Sequence, residues 1–300
     1  MNPVAREATW RTYAARMRGS LRRIKRVARS IESVRNTFQL LYDTNAIIVH
    51  WASSSGASTN WGDKLNPILV NKISGKMALN ERDILNPFRK PVYSVIGSFL
   101  GELRSPSTVV WGTGFISFDA RPRVHYRDIR AVRGPLSREK LEDHGVRCPA
   151  VYGDPALLCP KYFPVETKKQ HKLGLVPQWR DKGLPIVKAL AEQTGAHIID
   201  IQAGIEEFIE EVNSCEYIAA STLHALIVAD SYGIPTLWLR LSENPKGDLF
   251  KYLDYFASVG KEISSPFTPS ENTRAQDMVD RMSHTRIDID LERLLAACPF

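Results

Sequence analysis

Several features that would fix a function quickly are missing from this chain. Its four cysteines, Cys148, Cys159, Cys215 and Cys298, are scattered, with no CxxC pair and no histidine at zinc-finger spacing. That pattern excludes the common zinc modules and a disulfide framework, and makes a reducing cytosol the default compartment. No apolar run approaches the roughly 18–20 residues needed to cross a bilayer. The N-terminus lacks the apolar centre of a secretory signal. Internal repeats and low-complexity tracts are absent, and no acidic cluster suggests a metal site. What remains is a chain of 300 residues, 43% hydrophobic and 24% charged, with the composition of an ordinary globular protein and room for two domains.

The net charge of +7 is unevenly placed. Residues 1–36 hold nine Arg and one Lys against Glu7 and Glu32, or +8, so the rest is close to neutral. A nearly neutral body argues against nucleic acid as the partner of the whole protein. Within the basic stretch, Met17, Leu21, Ile24, Ala28, Ile31, Val34 and Phe38 recur at helical spacing. A basic amphipathic helix over residues 1–40 suits an anionic membrane surface, contacted through residues 1–38. A helix packed on the body and a basic arm for nucleic acid are the competing readings.

From residue 45 strands and helices alternate. Strands are expected at 45–52, 91–100 and 108–115, with a helix over "GDKLNPILVNKI", a strand, Gly-Pro turn and helix closed by Gly145 within 128–145, and a further strand and turn within 151–158. The Pro- and Lys-rich stretch "CPKYFPVETKKQHK" reads as a linker. Beyond it, strands at 173–179, 196–202, 217–221 and 235–241 alternate with helices at 183–195, 205–213 and 223–233. Short continuous apolar strands between helices imply an α/β fold with parallel sheets. The expected organisation is a basic helix (1–40), one Rossmann-like domain (41–165), a second (166–262) facing it across a cleft, and a C-terminal helix (263–300) returning to the first. Ligands of such sheets bind beyond the carboxyl ends of the strands. His224 falls there, with Gly62, Asp63, Gly97, Ser98, Gly112, Gly114, Arg133 and Gln178.

The ordered motifs "NWGDKLNP", "VIGSFL", "VVWGTGF", "VRGPLSREKL", "YGDPALL", "LVPQWRDK", "IIDIQAG", "STLHALIVADSYGIPTLWLRL" and "FKYLDYFASVGK" resemble the polysaccharide pyruvyltransferase family, in its exopolysaccharide branch, over roughly residues 45–261. The resemblance implies a fold similar to the glycosyltransferase B type. It also implies transfer of the pyruvyl unit of phosphoenolpyruvate to two hydroxyls of one sugar, giving a cyclic ketal and phosphate. The implied acceptor is a lipid-linked oligosaccharide at the inner face of the cytoplasmic membrane, where this protein would be peripheral. No cofactor or metal is called for.

A phosphate and a carboxylate require cations and backbone N–H groups. Arg133 and Arg138, at a strand-to-helix junction, are the first candidates, against surface ion pairs as the alternative for both. Arg240 and Lys251 are weaker anion candidates. His224 is expected to move protons or contact phosphate, with Ser221 and Thr222 shaping its turn. Asn60 and Gly62 would let the backbone approach a ligand, and Asp63 either caps its helix or faces the sugar. Gly112 and Gly114 are turn residues or substrate contacts. Two departures stand out. Thr222-Leu223-His224 replaces an Arg-Leu-His common in the family, and Gln178 replaces a second histidine. Trp51, Trp61 and Trp111 at strand ends read as core before sugar-stacking, and Asp128 and Asp154 as turn residues. A nucleotide-sugar glycosyltransferase and a non-catalytic assembly subunit are the alternative functions.

Overall fold

A computed structural model describes residues 31, 33–40, 45–52, 60–86, 89–242, 248–282 and 286–300. Most of the basic stretch, including Met17, Leu21, Ile24 and Ala28, lies outside them. Residues 33–40 form helix α1. Strand β1 (Ala46–His50) leads through α2 (Trp61–Ser74) into β2 (Met77–Asn80), followed by β3 (Val92–Ser94), β4 (Thr108–Trp111) and β5 (Asp128–Ala131). These five strands pair in parallel in the order β2-β1-β3-β4-β5. Helices α3 (Pro135–Glu142) and α4 (Cys159–Tyr162) carry the chain to β6 (His171–Val176). Then come α5 (Pro185–Thr194), β7 (His197–Ile198), α6 (Ile205–Asn213), β8 (Cys215–Ala220), α7 (Leu223–Ser231) and β9 (Thr236–Trp238). The second sheet is also parallel, ordered β7-β6-β8-β9. Helices α8 (Phe250–Ser258), α9 (Ala275–Val279) and α10 (Leu291–Ala296) close the chain.

Several strands are shorter than their apolar runs. The stretches read at 91–100 and 108–115 stop at Ser94 and Trp111, ahead of turns in which Gly97 and Gly112 take φ of 126° and 97°. The strand read at 196–202 shrinks to His197–Ile198, yet Ile199 and Ile201 remain buried as packed loop. At 151–153 only an isolated bridge, Tyr152 to Val132, is formed. Strand β2 was not expected. Its MALN sequence is four residues long and has no β-branched side chain to mark it.

Helix α7 occupies the middle of the molecule. Every residue from Leu223 to Asp230 is buried, which suits a helix that is apolar all round. Asp230, near its C-terminal end, accepts from Tyr255 Oη (2.7 Å), Thr236 Oγ1 (2.9 Å) and Lys261 Nζ (2.5 Å). The chain end packs on the first sheet: Trp111 Nε1 donates to the Leu294 carbonyl (2.9 Å), and Phe300 meets Tyr93 and Trp111 edge to face.

Candidate functional site

In open parallel sheets the crevice for ligands lies at the carboxyl ends of the strands, where the strand order reverses. The first sheet reverses between β1 and β3, and the second between β6 and β8. Ala52 follows β1, Gly97 and Ser98 follow β3, and Thr222 to His224 follow β8; all line one cleft of about 110 Å³. Gln178, after β6, and Ser221 line an adjoining cavity with Arg240 and Asp181. Both reversal points thus open on the start of α7. Grooves of about 650 and 920 Å³ lie elsewhere, one behind the C-terminal end of α7 and one beside β5.

Three helix N-termini meet at the cleft. Asn60 and Asp63 come from α2, Thr222 and His224 from α7, and Lys251 from the first turn of α8. Asn60 and Thr222 stand at N-cap positions, and neither side chain caps its helix. The uncapped N-termini of α2 and α7 therefore favour an anion between them, whereas the first N–H of α8 is already met by Asp248 Oδ1 (2.8 Å). Buried Asn66 fixes the approach of α2 by donating to the Gly62 and Ile96 carbonyls (3.0 and 3.1 Å) and accepting from Ile96 N–H (3.0 Å).

His224 is buried, and its Nε2 has no protein hydrogen-bond partner. Burial, then the charges of Lys251 and Arg133, hold its pKa down at about 3. The ring lies against Gly62: a Cβ there would come within 2.2 Å of Cε1. Glycine at 62 is thus what lets α2 and the imidazole share the cleft.

The structure gives Arg133 a position different from the one anticipated. Its guanidinium is fully buried, donates four hydrogen bonds to protein acceptors and forms an ion pair with Asp254. Nε donates to Asp254 Oδ2 (3.0 Å), Nη1 to Ser98 Oγ (2.6 Å) and the Gly97 carbonyl (3.4 Å), and Nη2 to the Phe115 carbonyl (2.7 Å). Nη2 also pairs with Asp254 Oδ2 at 2.9 Å. Asp254, from α8, further accepts from Ser137 N–H (2.8 Å) and Oγ (2.6 Å). Arg133 therefore stands behind the cleft wall, holding Ser98 in place and lending its charge to the field at His224.

Arg138 is not at the cleft. It donates to the Cys148 carbonyl (3.1 Å) and Glu142 (2.8 Å), in the groove beside β5. Gly112 and Gly114 line neither cavity. A Cβ at 112 would strike Pro155, and one at 114 the Arg133 guanidinium, so close packing accounts for both. Trp61 and Trp111 are fully buried in the core. Asp154 Oδ1 accepts from Ala156 N–H (3.0 Å), the turn role read for it. Asp128 pairs with Arg130.

Reading the sequence missed Asp254, whose signal was the one acid in a largely aromatic and apolar helix. It also missed His50, at the carboxyl end of β1. His50 Nδ1 lies 2.6 Å from Glu81 Oε2, and its ring meets the cleft residue Phe99 edge to face.

Among the described residues there is no group of three His, Cys, Asp or Glu side chains arranged for a metal. No helix among them is long and apolar enough to cross a membrane.

Residues 81–243, more than half the chain, match the polysaccharide pyruvyl transferase family. The chain belongs to this family. The matched range includes the cleft residues Gly97 to Phe99 and Thr222 to His224, whereas Asn60, Asp63 and Lys251 lie outside it. The chain is similar to the succinoglycan biosynthesis protein ExoV of Rhizobium meliloti (strain 1021), 27% identical over 244 residues, covering 77% of this chain and 70% of that protein. It is also similar to the uncharacterized protein L143 of Acanthamoeba polyphaga mimivirus, 25% identical over 210 residues, 68% of this chain and 72% of that one. Membership makes the protein a transferase of the polysaccharide pyruvyl type.

Proposed function

We propose that the protein transfers the pyruvyl group of phosphoenolpyruvate to two hydroxyls of one sugar in an exopolysaccharide repeat unit. The observation that carries this is the meeting of the uncapped N-termini of α2 and α7 with Lys251 of α8 around the unpartnered Nε2 of His224. The donor carries a phosphate and a carboxylate, which suits such a field. The acceptor reaches the same cleft from the side of Gln178, Ser221, Asp181 and Arg240, whose polar groups match sugar hydroxyls. A lipid-linked repeat unit, met at the inner face of the cytoplasmic membrane, is the acceptor in this reading.

The overall reaction breaks the bond between C2 and the phosphate oxygen and forms two C–O bonds at C2. Of the two hydroxyl protons, one converts the donor methylene to a methyl group and the other leaves on phosphate. With its pKa held at about 3 by burial, His224 is neutral and by itself a weak base, and Nε2 takes up a hydroxyl proton once an anion is bound beside it. A bound dianionic phosphate favours the imidazolium and lets the same nitrogen pass that proton on. Thr222, where the family resemblance implied an arginine, leaves Lys251 as the cation lining the cleft among the described residues. Fold and cleft resemble glycosyltransferases of the B type in this reading, with phosphoenolpyruvate replacing the nucleotide sugar.

The test is phosphate release from phosphoenolpyruvate in the presence of a repeat-unit oligosaccharide. The wild type is expected to release phosphate only with acceptor present. His224→Gln is expected to lose about 10²- to 10⁴-fold in kcat while keeping its fold. Glycosyl transfer from a nucleotide sugar with release of a nucleoside diphosphate, and phosphoenolpyruvate inert, would overturn the reading.

A further inference from the structure

Ile31, Val34, Phe38 and Leu85 are 65, 49, 55 and 61% exposed, and they make up half of the large exposed apolar side chains among the described residues. They share one surface. The first three follow helical spacing, while Leu40 turns inward at 2% exposure. Leu85 is brought beside α1 by its N–H, which donates to Thr37 Oγ1 at 2.9 Å.

The position of α1 relates this surface to the first sheet. Its C-terminal end meets Met77 through Gln39 and Lys90 through the Leu40 carbonyl, at the amino ends of β2 and β3. Its earlier residues meet the connection that leaves the carboxyl end of β2, through Asn36 to the Asp83 carbonyl and Thr37 to Leu85. Within its described residues α1 therefore runs from the carboxyl-end side of the first sheet toward its amino end.

We propose that this surface docks on an anionic lipid bilayer, with Ile31, Val34, Phe38 and Leu85 entering the acyl boundary. The sequence leading into α1 carries ten cations against two acids in residues 1–36, matching headgroup phosphates beside an apolar stripe. A second copy of the chain fits poorly, because it would set two +8 segments against each other. Nucleic acid would leave the exposed aliphatic side chains without a counterpart. The docking itself does not rest on pyruvyl transfer.

Cosedimentation of the full chain with vesicles tests it, in the absence of donor and acceptor. Binding is expected to vesicles containing phosphatidylglycerol and not to phosphatidylcholine alone, and to weaken as salt is raised. Leu85→Ser with Val34→Ser is expected to lower partitioning by about tenfold or more. The melting temperature of that variant should stay at the wild-type value, since both side chains are exposed. Four results would overturn the proposal: no binding, equal binding to both vesicle types, variant binding equal to wild type, or a self-association lost in the variant with no vesicle binding.

Discussion

At the scale of single residues, two buried groups pull the acid–base behaviour of the fold in opposite directions. His224, its pKa lowered to about 3 by burial, Lys251 and Arg133, stays neutral in the folded protein over a range where the unfolded chain protonates it. Its contribution to stability is present above the unfolded value near 6.5 and is lost as pH falls toward about 3. Burial raises Asp154 to about 7, so the folded protein holds its proton where the unfolded chain releases it near 3.8. That contribution is full at low pH and is lost as pH rises through about 7. The two offset each other in the wild type between about pH 4 and 6.5. His224→Gln is therefore expected to lose stability as pH rises across this window, and Asp154→Asn to gain it. Urea midpoints at several pH values check the signs; equal slopes in the two variants would contradict this account. His224 was visible in the sequence because a polar residue opens an otherwise apolar helix. The burial of Arg133 was not, because its counter-ion lies 121 residues along the chain.

At the scale of elements, α8 ties the two sheets to one cleft. It supplies Lys251 to the cleft, Asp254 to Arg133, and Tyr252, whose hydroxyl donates to the Ser221 carbonyl at 3.0 Å. Removing one partner of a buried pair strands the other charge, at a cost of about 3–5 kcal/mol. Asp254→Ala is accordingly expected to lose that much stability, read from urea unfolding, and to loosen Ser98. A loss below about 1 kcal/mol would show that Arg133 finds other partners. Gly134 permits this arrangement, since a Cβ there would lie 1.9 Å from the Asp254 carbonyl oxygen. Elements with continuous β-branched runs, such as AIIVH in β1, could be read directly. Where glycine forces an early turn, as at Gly97 and Gly112, hydrophobicity outran the strand. The length of an apolar run reports burial, and here burial continues into loops.

At the scale of the whole molecule, the cleft exists because two parallel sheets place their order reversals against the start of one buried helix. The succession of strands and helices was legible along the sequence. The convergence of α2, α7 and α8 was not, because it depends on contacts between residues 62 and 224 and between 133 and 254. The family resemblance pointed to arginines for the anion, whereas the geometry turns Arg133 inward, sends Arg138 to the outer groove and leaves Lys251 in the cleft. The central claim is that this cleft holds phosphoenolpyruvate. Calorimetric titration of phosphoenolpyruvate into the wild type and Lys251→Ala tests it most directly. The account predicts saturable binding to the wild type, weakened at least about tenfold by Lys251→Ala through loss of a charge-assisted contact. Binding unchanged by that substitution would place the donor outside this cleft.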